Sequence, residues 1–253
     1  MLLGFLEPFE VGSVRSLSLI LGPRMGPRRL GLLAPGSENV VMRTLSESLW
    51  GAIQIAVHLV LWPLFHRWRT RWGATEEEIA RRLPGDELVA EPDWSYNHAI
   101  SINAPRAAVW PWLVQLGQGR GGFYTYEGLE NLIGCQIHNV MEIRPDLQHL
   151  RVGDTVVTHG RSGFGPPVTR LEAERALVLG GPPNEKGSQS TWAFHLLDGP
   201  NGTTRLIERG RGIAGEGPLE KLAFGPYLLE PVGFVMSKKM LRTIKELAES
   251  RRR

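Results

Sequence analysis

Residues 109–143, VWPWLVQLGQGRGGFYTYEGLENLIGCQIHNVMEI, place aromatic rings directly beside a run of glycines. Apolar side chains at helical spacing open the stretch, glycines at 117, 119, 121 and 122 interrupt it, and a second amphipathic run follows at residues 126–133. Glycine adopts left-handed and crowded backbone conformations at little cost, so this pattern predicts a helix, a tight glycine turn and a second helix. Large rings next to bare backbone indicate the wall of a cavity.

The second half of the chain has the alternation of apolar and polar residues that is typical of antiparallel strands. We predict strands at residues 98–102, 152–159, 168–174, 176–179, 189–197 and 203–211. In the fifth of these, Trp192, Phe194 and Leu196 share one face, which is predicted to point toward the core. Residues 231–250 predict an amphipathic helix that lies across the sheet. The glycine- and proline-rich residues 210–226 before it predict a lid over the pocket.

Several strings of the sequence carry a resemblance to a known family. They are WPWLVQLGQGRGGFYTYEGLENLIGCQIHN, RWGATEEEI, LPGDEL, ISINAP, RVGDTV, LVLGGP and FVMSKKMLRTIKELAE. Together they cover residues 68–248 and resemble a bacterial branch of the SRPBCC superfamily, whose domains are START-like or birch-pollen-allergen-like. The resemblance implies an α+β helix-grip fold, in which a curved antiparallel β-sheet wraps around a long C-terminal helix. It does not imply one ligand, because the superfamily includes lipid carriers and polyketide cyclases.

Composition sets the broad class of the protein. The 253 residues are 42% hydrophobic and 22% charged, which is ordinary for a globular chain. The net charge of +3 is too small to predict a nucleic-acid partner. A single cysteine, Cys135, excludes an intramolecular disulfide and fits a reducing compartment. We therefore predict a cytoplasmic protein with no nucleic acid, cofactor or metal, and the oligomeric state stays open.

Four parts are predicted along the chain. Residues 1–45 form a disordered or poorly structured extension, 46–72 a hydrophobic helix, 73–95 a lead-in helix with a loop, and 96–250 the helix-grip domain. The extension lacks the basic start of a signal peptide, and Met42 is an alternative initiator. In the lead-in segment, Thr75 and Glu78 have the spacing of a capping box.

The hydrophobic helix predicts contact with a membrane. Residues 49–65, LWGAIQIAVHLVLWPLF, carry no formal charge and would form a helix of roughly 25 Å, slightly shorter than a bilayer core. Basic residues and tryptophans follow, which is typical of the cytoplasmic side of a membrane anchor. However, Glu47, Gly51, Gln54 and His58 fall on one face. That stripe fits an interfacial helix, or a helix packed on its own domain, as well as a single span.

The favoured function is binding of a small hydrophobic or lipid-like ligand in an internal cavity. The predicted ligand-binding residues are Trp112, Arg120, Phe123, Tyr124, Tyr126, Asn131, Trp192, Phe194 and Phe234. Arg120 is expected either to hold an anionic group of the ligand or to form a structural salt bridge.

The alternative is an enzyme of the polyketide cyclase or dehydratase type. Glu127, Glu130 and His138 are the candidate acid and base groups, since carboxylate and imidazole can enolise a carbonyl compound. A structural hydrogen-bond network would use the same side chains. A third hypothesis is a membrane-tethered scaffold whose pocket is filled by its own side chains.

Overall fold

The computed structural model describes residues 37–159, 163–184, 187–214 and 229–250. Residues 1–36 of the predicted extension lie outside these ranges, as do residues 215–226 of the predicted lid.

Helices occupy the two ends of the described chain, and strands occupy most of its second half. The helices are α1 (Ser37–Val60), α2 (Trp62–Arg69), α3 (Glu76–Ala80), α4 (Arg106–Val114), α5 (Glu127–Leu132) and α6 (Leu229–Ser250). The strands are β1 (Trp94–Ile102), β2 (Val168–Glu172), β3 (Ala176–Gly180), β4 (Gln189–Asp198) and β5 (Thr204–Ile213). Short 3₁₀ turns lie at Asp86–Val89, Pro145–Leu147 and Pro200–Gly202.

The five strands form one open antiparallel sheet in the order β1-β5-β4-β3-β2, so the chain has an α+β fold. In this register His98 of β1 and Phe194 of β4 both pair with Glu208 of β5. Because directly paired residues project to the same side of a sheet, these three side chains share one face. We call this side the inner face.

The inner face packs against α4 and α6. Apolar side chains spaced three and four residues apart along α6 are buried in the same cluster as Phe194 and Leu206 of the sheet. They are Met240, Leu241, Ile244 and Ala248. The prediction of an amphipathic helix lying on the sheet is confirmed, and α6 begins at Leu229.

The outer face of the sheet is covered by the lead-in segment. Thr75 and Glu78 form the predicted capping box at the start of α3. The buried guanidinium of Arg209 donates to Asn97 Oδ1 at 2.6 Å, to Asp86 Oδ2 at 2.6 Å and to the carbonyl oxygens of residues 78 and 81. These bonds hold the segment against the sheet.

Five of the six predicted strands are present, and the strand predicted at residues 152–159 is wrong. That segment makes only isolated bridges, between Thr155 and Pro167 and between His159 and Phe164. Its alternating pattern meets a partner segment that contains Pro166 and Pro167. Proline has no N–H to donate, so a continuous ladder cannot form there.

The N-terminal hydrophobic segment is two helices. Helix α1 begins at Ser37, earlier than the predicted start at residue 46, and ends at Val60. Pro63 lies in the first turn of α2, and the two helices meet at a bend of 114°. Among the described helices, none alone has the length and apolar character to cross a bilayer, whereas this bent pair together has both.

Candidate functional site

Three rings stack along the inner face of β1. Trp94 and Tyr96 lie with centroids 6.4 Å apart and planes 8° apart, and Tyr96 stacks on His98 at 4.6 Å. Gly212 and Gly210 face these rings across the β1–β5 pair. A Cβ atom at either glycine would collide with the ring of Trp94 or Tyr96. The glycines of β5 therefore let the rings lie flat on the backbone.

A fully buried carboxylate, Glu208, lies beside this stack. Its Oε1 accepts hydrogen bonds from Trp192 Nε1 at 2.8 Å, Ser237 Oγ at 2.8 Å and Tyr96 Oη at 3.3 Å. Its Oε2 lies 3.1 Å from His98 Nδ1. A carboxylate removed from water is stable only when donors replace its hydration. The donors come from β1, β4 and α6, so the network ties the C-terminal helix to the sheet.

The Glu208 network ties buried polar groups of three elements together in the interior of the domain. Three donors point at Oε1, whereas the one contact of Oε2 is His98 Nδ1, which donates or accepts according to its tautomer. Burial and the neighbouring Glu208 raise the pKa of Tyr96 well above its usual value, so the phenol stays protonated and keeps donating.

A cleft of about 220 Å³ opens at the end of the sheet where β1 begins and β5 ends. Its apolar walls include Trp94, Phe164 and Ile213, and polar side chains from the β3–β4 turn complete it. The remaining lining residues are Gly165, Pro166, Pro167, Gly180, Gly181, Pro182, Asn184, Ser188, Gln189 and Ser190.

One polar atom in the cleft wall lacks a partner. The Nε1 atom of Trp94 is buried and has no hydrogen-bond acceptor within the part of the chain that the structure describes. An indole N–H can only donate, and leaving a buried donor unpaired costs about 1–3 kcal/mol. Because this atom has almost no accessible surface, an acceptor in the cleft reaches it only if the indole ring shifts. The same ring stacks on Tyr96, which links the cleft to the Glu208 network.

A second polar group lies away from the cleft, around Glu130. Its side chain is 1% exposed, and neither carboxyl oxygen has good hydrogen-bond geometry with a described residue, although the Thr125 hydroxyl is close enough to oppose the rise in its pKa. Burial raises the pKa of Glu130 to about 7. Nearby, Cys135 Sγ lies 3.2 Å from His159 Nδ1, but burial and Glu130 raise the pKa of the thiol to about 11. The thiol stays protonated and is therefore a poor nucleophile.

The three predicted acid and base groups do not converge. His138 Nδ1 lies 3.0 Å from Glu127 Oε1, but the His138 side chain is 85% exposed. The other Glu127 oxygen accepts from the backbone N–H of Asn139 at 3.0 Å. Glu130, three residues further along α5, is buried. The Glu127–His138 pair is thus a surface contact that holds residues 138 and 139 against α5.

The predicted aromatic lining residues belong to two packed clusters. Trp112, Phe123, Trp192 and Phe194 are in the main core cluster. Tyr126 and Phe234 are in a smaller cluster between α1 and α6. None of the six lines the cleft at the sheet end.

The three predicted polar ligand contacts make internal hydrogen bonds. Arg120 Nη2 donates to the carbonyl oxygens of Val114 at 2.9 Å and Leu147 at 2.7 Å. Tyr124 Oη accepts from Gln115 at 2.7 Å. Asn131 pairs with both backbone groups of Ile137. The bonds of Arg120 and Tyr124 hold the predicted glycine turn, in which Gly117 and Gly122 pair with each other, and those of Asn131 hold the segment after α5.

The residues predicted from the sequence do not include Glu208, its donors Tyr96 and His98, or the cleft residue Trp94. A signal for them exists in the alternation of β5, where Glu208 is in phase with Leu206. An acidic residue at a core-facing position needs buried donors. The predicted first strand began at residue 98, whereas β1 begins at Trp94, so two of the three stacked rings lay outside it.

Comparisons with known proteins do not assign a family. No protein-family model matches the chain, and no curated protein does. A solved structure from Mesorhizobium loti is similar at 17% identity and a TM-score of 0.36, covering 61% of this chain and 96% of that one. A protein from Geobacillus kaustophilus has 16% identity and a TM-score of 0.35, covering 62% and 97%. Similarities at these TM-scores carry no conclusion about function.

Proposed function

We propose that this protein binds a small apolar molecule in the cleft at the end of the sheet, within a domain of the helix-grip type. The helix-grip assignment is supported by the long helix α6, which packs on the inner face of the antiparallel sheet. The observation that carries the binding proposal is the cleft itself, with apolar walls and the unpaired indole N–H of Trp94.

The cleft sets the size and chemistry of the ligand. Pockets for drug-sized ligands enclose roughly 300–1,000 Å³, so a cleft of about 220 Å³ suits a compound of one or two rings. The stacked ring of Trp94 favours an aromatic ligand, because offset or edge contacts between rings add stabilisation beyond buried area. An oxygen on that ligand would accept from Trp94 Nε1 once the ring shifts to expose that atom to the cleft. A ligand with long acyl chains exceeds this volume.

Binding of 2-naphthol to the full chain tests the proposal by isothermal titration calorimetry. Gly181 lines the cleft, and a Cβ there meets only Pro167 at ordinary contact distance, so Gly181→Leu adds bulk to the cleft without backbone strain. We expect saturable binding to the parent chain and at least about tenfold weaker binding to Gly181→Leu, equivalent to about 1.4 kcal/mol.

Gly233→Leu is the matched control, because Gly233 lies in α6 and a Cβ atom there would meet no other described residue within 4 Å. It should bind 2-naphthol as the parent does. Absence of binding to the parent chain, or equal binding by Gly181→Leu and Gly233→Leu, would contradict the proposal.

One observation favours the enzyme as a second candidate. A buried carboxyl with a pKa of about 7 is suited to proton transfer near neutral pH, and Glu130 has that property. The cleft does not include Glu130, so this candidate requires a separate route for a substrate. Loss of a measured cyclase or dehydratase activity in Glu130→Gln, with 2-naphthol binding unchanged, would support it.

A further inference from the structure

The polarity of α1 is inverted relative to an ordinary surface helix. Its polar residues face the domain, where Gln54 Nε2 donates to Tyr126 Oη at 2.9 Å and Glu47 lies 3.5 Å from Lys239 Nζ. Gly51 is buried against the ring of Tyr126. His58 packs edge-on against the ring of Phe234 at 5.1 Å. A helix that docks through its polar stripe must turn its apolar side away from the domain.

The outward side of this helix and of the start of α2 is a continuous apolar surface. Large apolar side chains expose between 37% and 78% of their area there. They are Leu45, Leu49, Trp50, Ile53, Val57, Val60, Leu61 and Leu64, and we call this set the outer apolar face. Ser46 is an exposed polar residue within the same stretch. Contiguous exposed apolar patches of this kind mark protein or membrane contacts.

The outer apolar face is held outward by a buried ion pair. Arg69 of α2 is fully buried and donates to both carboxylate oxygens of Glu230 in the first turn of α6, at 2.7 and 2.8 Å. His66 Nδ1 lies 3.1 Å from the same carboxylate. A bidentate arginine–carboxylate pair fixes orientation as well as distance. The bent helix pair therefore cannot rotate its apolar side inward without breaking this contact.

Positive charge surrounds the outer apolar face. Arg43 at the start of α1 is 81% exposed, and Arg67 in α2 is exposed. Lys238 and Lys239 of α6 lie beside the pair, with Lys238 Nζ 6.0 Å from the ring centroid of Trp68. The acidic residues here, Glu47 and Glu230, are both paired with basic side chains. The rim therefore carries a net positive charge.

We propose that the outer apolar face docks on an anionic lipid bilayer, with α1 lying in the plane of the headgroups. Apolar side chains would enter the acyl boundary, while the basic rim contacts lipid phosphates. Trp50 and Trp68 are 60% and 48% exposed, and tryptophan favours the headgroup level. A second copy of the chain fits less well, because two like-charged rims repel each other. The docked polar stripe and the 114° bend disfavour a straight span.

Co-sedimentation of the full chain with vesicles tests this surface. The vesicles contain phosphatidylcholine alone or phosphatidylcholine mixed with phosphatidylglycerol. We expect binding to the mixed vesicles, weaker binding to the neutral ones, and weakening as salt rises. The double variant Leu49→Glu with Ile53→Glu should lose at least about tenfold in apparent affinity, because two apolar side chains leave the lipid.

The control carries the same charge change elsewhere. Leu88 and Val152 are 37% and 62% exposed, and Leu88 lies in the turn on the outer face of the sheet, opposite α6, so Leu88→Glu with Val152→Glu should bind within about twofold of the parent. Circular dichroism checks that both double variants fold.

Four outcomes would overturn the proposal. The first is no binding of the parent chain to mixed vesicles, and the second is equal loss in both double variants. The third is binding only after deletion of residues 1–36, which would mean that this segment covers the face. The fourth is self-association of the parent, by sedimentation equilibrium and without vesicle binding, that Leu49→Glu with Ile53→Glu abolishes. That result would assign the face to a second copy of the chain.

Discussion

At the scale of single residues, Glu130 and His195 make stability depend on pH in opposite directions. Burial raises the pKa of Glu130 from 4.5 to about 7. Burial, with the nearby Arg209 charge, lowers the pKa of His195 from 6.5 to about 4. The folded state therefore holds an extra proton on Glu130 as pH rises above 4.5. Between pH 6.5 and about 4, in contrast, the unfolded chain binds a proton on His195 that the folded chain does not, so this residue lowers stability as pH falls.

The substitution Glu130→Gln should change the pH dependence of stability. The stability that protonated Glu130 contributes is fully present below pH 4.5 and is lost as pH rises toward 7. The rise in pKa from 4.5 to about 7 corresponds to a loss of about 3 kcal/mol by pH 8. Glutamine stays neutral, so the variant should unfold at a higher urea concentration than the parent at pH 8 and at a similar one at pH 4.

Urea titrations at several pH values measure this difference. Glu127→Gln is the control, because Glu127 lies on the same helix in a surface contact with His138. Equal midpoints of the parent chain and Glu130→Gln at pH 8 would contradict the burial of a neutral carboxyl.

The sequence alone does not show which polar residues of the candidate site are buried. The sequence predicts Glu127 and Glu130 alike as acid or base groups, and nothing in residues 109–143 separates the buried Glu130 from Glu127, which is on the surface. Glu208 is not among the predicted residues, because its donors come from three separate elements. Contacts between residues this far apart depend on sheet register, which short-range periodicity does not report.

At the scale of elements, the two glycines of β5 leave room for the aromatic rings of β1 that pack over them. Gly210 and Gly212 lie in a strand interior, where glycine is ordinarily unfavourable, and the rings of Tyr96 and Trp94 occupy the space above them. Gly233, in contrast, lies inside α6, where no other described residue occupies the space in which a side chain would begin. Adding one methyl group to Gly210 and to Gly233 should therefore have opposite effects.

Gly210→Ala should destabilise the protein by about 1–3 kcal/mol, because the new methyl group displaces the Tyr96 ring and disturbs its bond to Glu208. Gly233→Ala should stabilise it by up to about 1 kcal/mol, because alanine favours the helix. Thermal unfolding of both variants measures the pair of effects. A neutral or stabilising Gly210→Ala would mean that the stacked rings do not rest on β5.

Periodicity predicted four strands and α6 close to their observed bounds, because each of these elements has one apolar face against the core. It failed at residues 152–159, where the partner segment contains two prolines. It also left the orientation of residues 49–65 open. The sequence shows that Glu47, Gly51, Gln54 and His58 share one face of the helix. It does not show that this face packs on the domain, because the contacts are with Tyr126 and Lys239, which lie far away in sequence.

At the scale of the whole molecule, one buried ion pair joins the N-terminal helices to the C-terminal one, beside the more exposed contact of Glu47 with Lys239. Arg69 is 0% exposed and the Glu230 side chain is 14% exposed, so most of the pair is shielded from water. Breaking one partner of a buried pair costs about 3–5 kcal/mol, because the remaining charge stays uncompensated. The sheet network around Glu208 does not involve either residue. Loss of the pair should therefore release α1 and α2 while the sheet stays folded.

The substitution Glu230→Gln should speed amide hydrogen exchange in α1 and α2 and leave β4 and β5 protected. Arg71→Gln, which removes an exposed pair with Glu76, should leave both regions unchanged, since surface pairs contribute at most about 1 kcal/mol. The double variant Arg69→Met with Glu230→Met should recover slow exchange, because no buried charge remains. Slow exchange in α1 in Glu230→Gln would show that Tyr126 and Phe234 hold the helix pair on their own, and that the outer apolar face does not depend on this contact for its orientation.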